Sequence, residues 1–187
     1  MNFTIDGFIE GPHQELDWTI ADAELHDFYA KLLEEAGLII FGRVTYQLMA
    51  SYWPTAGSDP HATPAEKRFA NALNPKKKIV FSKTLKNVDW NTQVMDEFDP
   101  RQIQALREGE GGPIFIDGAS MAHAFFESSL VDEYIPVIHP VAIGRGKAVF
   151  AGLAAQPKLD LQWSKRFASG AVALCYKVNG RSDKQVQ

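Results

Sequence analysis

Three short apolar runs in this chain each end in a polar turn of a type that can hold an anion. The first stops at Gly42-Arg43-Val44-Thr45-Tyr46. The second, Ile79-Val80-Phe81, stops at Ser82-Lys83-Thr84, and the third, Ile114-Phe115-Ile116, at Asp117-Gly118-Ala119-Ser120. Each reads as a buried strand whose C-terminal end opens into a turn, and the first and third also start a helix. The leading N–H groups of a helix have no intrahelical acceptor, and the helix dipole adds positive potential there. Such a turn suits phosphate. Several on one sheet suit an elongated phosphate-bearing ligand such as a dinucleotide. Arg43 adds a guanidinium able to clamp phosphate through two parallel hydrogen bonds. It is also an ill-matched charge for the positive end of a helix, which favours an anion there. Thr45 and Ser120 carry hydroxyls that suit phosphate or the capping of their own helices.

Three carboxylates are candidates for proton chemistry or substrate contact. Asp22 precedes a helical pattern and lies four residues after Trp18. A plain N-cap accounts for it without any chemistry. Asp117 ends the third run beside the glycine turn, where a carboxylate can face a reacting centre. Asp6 stands beside Gly7 in the first loop, where it would bond substrate or stabilise a turn. Trp18 and Trp53, with Tyr46 and Tyr52, could wall a flat substrate, whereas Trp90 and Trp163 read as core. The five histidines show no His-Glu-x-x-His spacing and no cysteine partners, so no metal site is expected.

The elements that must position these residues follow from periodicity and punctuation. Asp22 caps a helix whose apolar side is Leu25, Phe28, Tyr29, Leu32, Leu33 and Ala36, and Gly37 ends it. Leu38–Phe41 is a strand without polar alternation, covered on both faces. A helix runs from Arg43 to about Ser51 and breaks at Trp53-Pro54, before a loop to residue 63. Pro64–Leu73 is helical, Ile79–Phe81 a strand and Val88–Met95 a short strand. Asp99, Pro100 and Gly109 bound the next helix. Ile114–Asp117 is a strand, Ala119–Leu130 a helix burying Ala122, Phe125 and Phe126, and Glu133–His139 a strand. Two alternating segments around Ser169-Gly170 make a C-terminal antiparallel hairpin. The order β-α-β-α-β-α-β-α-β-β-β predicts an α/β fold with a mostly parallel sheet, whose ligands bind beyond the strand C-termini.

With 187 residues, 45% of them hydrophobic, the chain can bury the core of one compact domain. The expected domain is 1–178, with 179–187 a polar, flexible tail. The net charge of −4 and the lack of a basic stripe argue against nucleic acid. Lys76-Lys77-Lys78 is the one basic run and reads as a solvated lead into a strand. A single cysteine, Cys175, excludes an intrachain disulfide and reads as buried packing. No apolar run reaches the ~20 residues of a membrane helix, and no secretion signal opens the chain. A soluble, cytoplasmic protein is expected.

The ordered set of motifs resembles dihydrofolate reductase-like proteins. It is closest to the reductase (C-terminal) domain of the bifunctional riboflavin-biosynthesis deaminase–reductase and its stand-alone homologues. The match begins at Thr4-Ile5-Asp6-Gly7-Phe8-Ile9, Gly11-Pro12 and Leu16-Asp17-Trp18. It continues through Gly42-Arg43-Val44-Thr45-Tyr46, Val80-Phe81-Ser82-Lys83-Thr84-Leu85 and Leu130-Val131-Asp132-Glu133-Tyr134. Pro140-Val141-Ala142-Ile143-Gly144-Arg145-Gly146 and Ser169-Gly170-Ala171-Val172 complete it. The resemblance implies a dihydrofolate reductase-like three-layer α/β/α fold with a mostly parallel central sheet, and homodimers.

It also implies NADPH-dependent hydride transfer to a small heterocyclic (pterin- or pyrimidine-like) or carbonyl substrate. Activity like that of 5-amino-6-(5-phosphoribosylamino)uracil reductase or dihydrofolate reductase is expected. By position, Gly42, Arg43 and Thr45 would hold phosphates, and Gly118, Ala119 and Ser120 the pyrophosphate. Ser82 and Lys83 would lie near the adenosine ribose and its 2′-phosphate. Ile9 would border the nicotinamide, Asp6 and Trp18 the substrate, and Asp22 or Asp117 would support protonation. Two departures stand out. Many relatives have a second glycine where this chain has Ala119, and most carry several residues before the match to Met1, so the first strand is short here or the sequence truncated. The alternatives are a non-catalytic nucleotide- or pterin-binding module and a structural homodimer with a vestigial cleft. Hydride transfer needs no protein nucleophile, so the lack of a Ser-His-Asp set is neutral.

Overall fold

Capping residues and side-chain spacing set most element boundaries in this chain. The computed structural model describes residues 1–109, 111–154 and 156–179. The first half contains β1 (Asn2–Thr4), β2 (Phe8–Glu10), α1 (Ala23–Glu35), β3 (Leu38–Gly42), α2 (Arg43–Ala50), α3 (Trp53–Ala56), α4 (Pro64–Leu73) and β4 (Lys77–Phe81). The second contains β5 (Thr92–Met95), α5 (Pro100–Gly109), β6 (Ile114–Asp117), α6 (Ala119–Glu127), β7 (Glu133–Tyr134), β8 (Val137–His139), β9 (Lys147–Ala148), β10 (Lys158–Arg166) and β11 (Val172–Asn179). The chain divides into two compact units. One is Ala21–Met121; the other is Met1–Ile20 with the segment from Ala122 onward.

The unit Ala21–Met121 is built on a four-stranded parallel sheet of order β5-β4-β3-β6. Central β3 is buried from Leu38 to Phe41, as its lack of polar alternation requires. Ile39, Phe41 and Val80 pack with Ala30 and Leu33 of α1 and with Phe69, Ala72 and Leu73 of α4. The helix starts are fixed locally. Asp22 Oδ1 accepts a hydrogen bond from Leu25 N at 2.8 Å. Thr63 and Glu66 form a reciprocal capping box at α4, with Pro64 in its first turn.

Two expectations change here. Trp53-Pro54 does not end helical structure but begins α3, because proline in a first turn lacks only an N–H that has no partner there. The lysine run is not solvated. Lys78 is 1% exposed. Its Nζ donates to Lys76 O at 2.7 Å and Asn74 O at 3.2 Å, and lies 4.4 Å from the Trp90 ring centroid. Lys76 Nζ donates to Glu34 O and Ala36 O, both at 2.8 Å, serving carbonyls left open at the end of α1. Only Lys77 is exposed.

The other unit holds a five-stranded sheet of order β1-β8-β11-β10, with β7 beside β11. β1 and β8 are parallel, and β10 and β11 form the expected antiparallel hairpin. The expected strand Glu133–His139 is split into β7 and β8 around Pro136, which has no N–H to give to a ladder. Phe126, Tyr134 and Phe150 meet edge-on with centroids 5.1 to 5.4 Å apart. Cys175 is buried, as expected. Trp163 is not core: it is 39% exposed on edge strand β10, where a register shift falls between Leu161 and Trp163. Alternation identifies two faces of a strand but not which one is covered. The tail beyond Asn179 lies outside the described residues.

Burial pulls the Lys78 ammonium down from 10.5 to about 8. Between these values the unfolded chain holds a proton that the folded chain has shed, so this residue makes stability rise with pH across about 8 to 10.5. Urea midpoints of wild type and Lys78→Met should therefore diverge in favour of wild type across that window, and parallel curves would remove the effect. Thr63→Ala should cost about 1 kcal/mol of stability with an unchanged urea slope.

Candidate nucleotide-binding edge

Parallel strands end on a common edge, so the three polar turns follow Gly42 of β3, Phe81 of β4 and Asp117 of β6 side by side. Phe41 stands opposite both Val80 and Asp117. From β3 the chain goes to β4 and β5 on one side, then returns to place β6 on the other. The strand order therefore reverses between β3 and β6, the kind of switch point where open α/β sheets bind ligands. Neighbouring strands lie ~4.8 Å apart. The turns after β4 and β6 thus begin roughly 10 Å apart, with the β3 turn between them.

The two turns at the switch point touch. Gly118 has φ +105°, and a Cβ built there would lie 2.5 Å from Thr45 Oγ1 and 3.8 Å from Gly42 N. Only glycine permits this approach and this backbone conformation. Gly42 is the N-cap of α2, with extended backbone, no side-chain cap and no acidic residue in the first turn. The amides that open α2 thus lack a side-chain acceptor beside the Thr45 hydroxyl, which fits an anionic group. Ala119 is buried and Ser120 exposed in the first turn of α6. Arg43 is exposed, and its Nη1 donates to Gln47 Oε1 at 2.9 Å, one helical turn along α2. An anion must win the guanidinium from that neutral amide.

The β4 turn closes on itself. Ser82 N donates to Met95 O at 2.9 Å, and Ser82 Oγ accepts from Thr84 N at 3.2 Å and Leu85 N at 3.0 Å. Beside it is a cleft of about 540 Å³ lined by Ser82, Lys83, Lys86, Asp96 and Glu97 with Leu85 and Val94. Lys86, Asp96 and Glu97 were not legible as site residues. The two acids reach the cleft only because β5 pairs with β4, a pairing that no local motif announces.

The carboxylate candidates separate by what holds them. Asp117 Oδ1 accepts from Gly118 N at 2.9 Å. Burial pushes its carboxyl above the ordinary aspartate value. Asp22 is used as the α1 cap. In the other unit, Asp6 accepts from Ile143 N at 3.1 Å and Gly144 N at 2.7 Å. The Thr4 side chain and then the Gly144 amide hold its carboxyl below the usual range. There too, Trp18 is half-buried, with Nε1 donating to Glu15 O at 3.2 Å and its ring edge-on to His139 at 5.6 Å. Ile9 is half-buried on β2, which pairs with β9. Two aromatics considered as walls are packing instead. Tyr46 is buried with its hydroxyl donating to Asp89 O at 3.1 Å, and Trp53 lies 4.3 Å from the Phe69 ring centroid. Among the described residues, no group of three or more His, Cys, Asp or Glu is placed to hold a metal ion.

A parallel α/β sheet whose strand order reverses between β3 and β6 belongs to the open α/β folds that hold ligands beyond their strand ends. The family model described as the RibD C-terminal domain matches residues 1–173, and the chain belongs to that family. Uncharacterized protein YyaP of Bacillus subtilis (strain 168) is 33% identical over 178 residues, covering 95% of this chain and 92% of that protein. A putative riboflavin biosynthesis protein from Shewanella sp. PV-4 has a similar structure, with TM-score 0.74, 18% identity and coverage of 96% of this chain and 97% of that one. Acinetobacter baumannii RibD superposes with TM-score 0.65 at 14% identity, over 96% of this chain and 56% of that one. A pyrimidine reductase-like protein from Corynebacterium diphtheriae gives TM-score 0.63 at 15% identity, over 96% and 90%. The fold is the dihydrofolate reductase-like α/β fold of that family.

Gly118→Ala should lower stability by about 1–3 kcal/mol through backbone strain and the clash with Thr45. Adding Thr45→Ala should recover part of the loss, since it removes the clash but not the strained φ. A Gly118→Ala variant with an unchanged thermal midpoint would contradict the close approach.

Proposed function

We propose that this chain is an NADPH-dependent reductase that transfers a hydride to a small pyrimidine- or pterin-like heterocycle or a related carbonyl compound. The observation that carries this reading is the contact of Thr45 with Gly118 at the switch point, beside a helix start without a side-chain cap. Membership of the RibD C-terminal domain family supports it, as does the likeness to a protein described as pyrimidine reductase-like.

In this reading the amides after Gly42 and Gly118, the Thr45 hydroxyl and the Ala119-Ser120 helix start bind the pyrophosphate. Arg43 leaves Gln47 to neutralise it. Lys83 and Lys86 take the 2′-phosphate of the adenosine ribose, and Ser82 shapes the turn that presents them. Bound NADPH supplies the hydride. Asp117 supplies the accompanying proton, since burial favours its protonated form, while Asp22 serves α1. A cytoplasmic homodimer belongs to the same proposal and rests on the family resemblance; light scattering coupled to gel filtration would test the dimer.

A charge-assisted hydrogen bond contributes about 1.5–3 kcal/mol, or roughly 10- to 100-fold in affinity. Titration of intrinsic Trp fluorescence should show NADPH binding weakened by about that factor in Arg43→Ala. The double variant Lys83→Ala/Lys86→Ala should lose affinity for NADPH and not for NADH. Absence of binding by either nucleotide would leave the vestigial-cleft alternative. Binding without oxidation of NADPH by pyrimidines, dihydrofolate or simple carbonyls would leave a non-catalytic module.

A further inference from the structure

Strand β10 ends its sheet. Among the described residues it pairs with β11 and with no other strand. An open edge is a row of backbone N–H and C=O groups ready to take a second chain, and folded proteins blunt it by shortness, proline or charge. β10 is nine residues long, contains no proline, and exposes Leu161 by 55% and Trp163 by 39%. Its one acid, Asp160, lies before the irregularity between Leu161 and Trp163, and Lys165 and Arg166 lie after it.

That irregularity decides which residues share a face. A bulge sets two residues against one, so the alternation of side chains changes phase across it. Asp160, Trp163 and Lys165 stand opposite Lys177, Cys175 and Ala173 on one face of the sheet. Leu161 and Ser164 stand opposite Tyr176 and Leu174 on the other. Two copies of one strand can pair antiparallel about a two-fold axis, with every contact made twice. With the axis between Gln162 and Trp163, Asp160 meets the partner's Lys165 and Leu161 meets the partner's Ser164, each pair on a common face. A slip of one residue sets Asp160 against the partner's Ser164 or the partner's Arg166, which belong to the other face. A slip of two sets Lys158 against the partner's Lys165, or Asp160 against the partner's Phe167, a buried residue in this chain. One register therefore matches both the faces and the charges.

We propose that β10 is an interface between two copies of this chain, pairing antiparallel with its own counterpart in that register and joining two five-stranded sheets into one. This rests on the homodimer of the reading above, for which it supplies a surface, and is independent of the redox chemistry. Asp160 then lies between Lys177 of its own sheet and the partner's Lys165, flanked by a cation on each side. Lys165 is half-buried, with Nζ 4.8 Å from the Phe167 ring centroid, so its ammonium is held close to the strand. Trp163 and Leu161 lie on opposite faces beside the axis, and the second strand covers part of each.

Sedimentation velocity of the full chain tests this by exchanging charges. Wild type should be a dimer. Asp160→Lys sets two cations face to face at both contacts, and Lys165→Asp sets two anions face to face. Each alone should raise the dissociation constant roughly tenfold or more. An equal mixture of the two variants should form dimers within about threefold of wild-type affinity, because both contacts of the mixed pair then join opposite charges. No defect inside one chain is repaired by mixing. Asp160→Lys also faces Lys177 and gives up the bond from Asn179. Should it fail to fold, Lys165→Asp, opposite Ala173, carries the test against Lys165→Arg: the first should dissociate and the second stay dimeric. A monomeric wild type overturns the proposal together with the homodimer. A dimer indifferent to the substitutions, or folded variants whose mixture stays monomeric, overturns β10 as the interface and leaves a dimer through another surface. Nucleotide titration decides the reductase reading separately.

Discussion

One missing side chain governs the candidate site. At Gly118 the backbone turns through a left-handed conformation within contact distance of the Thr45 hydroxyl and the Gly42 amide. Any Cβ there would occupy the space where the turns after β3 and β6 converge. Convergence matters because the chain reverses direction across the sheet between these two strands. The starts of α2 and α6 thereby lie at neighbouring strand ends. In the reading proposed above, these two helix starts on neighbouring strands, with the Thr45 hydroxyl between them, bind one anion together.

The rest of the unit Ala21–Met121 holds that edge in register. β3 is buried between β4 and β6 and cannot slip without exposing Ile39, Ile40 and Phe41. α1 and α4 cover one face through Leu33, Phe69 and Leu73. The two lysines of the 76–78 run act at the opposite, N-terminal end of the sheet. Lys76 closes the end of α1, and Lys78 bonds backbone oxygens beside Trp90. Cations thus serve structure at the edge where strands begin. At the edge where they end, Arg43, Lys83 and Lys86 lie near the turns that suit phosphate.

Much of this was legible where local chemistry decides. Asp22, Pro64 and Asp99-Pro100 mark helix starts within a residue of those observed, because caps and first-turn prolines act through their own neighbours. The unbroken apolar run of β3 announced a strand covered on both faces. The sequence was silent where long-range pairing decides. It could not show that Lys78 would be buried under Trp90, because Trp90 arrives through the β4–β5 connection in a left-handed backbone conformation. It could not show that Trp163 would face solvent, which depends on β10 being an edge strand. At the site, the glycines and hydroxyls were readable from strand-end motifs. The cleft acids Asp96 and Glu97 were not, since they come from a separate strand end. The ring of Asp6 bonds to Ile143 and Gly144 spans most of the chain and left no local signal.

The central claim is that the switch-point edge of the parallel sheet receives the phosphates of a dinucleotide. Amide-resolved NMR of the ¹⁵N-labelled protein during NADPH addition tests it most directly. The largest shift changes should fall on Val44, Thr45, Gly118, Ala119 and Ser120, with a second group at Lys83 and Lys86, and little change at Leu38, Lys77 and Ile114 where the same strands begin. Shifts confined to the strand beginnings, or none at saturating nucleotide, would contradict the account.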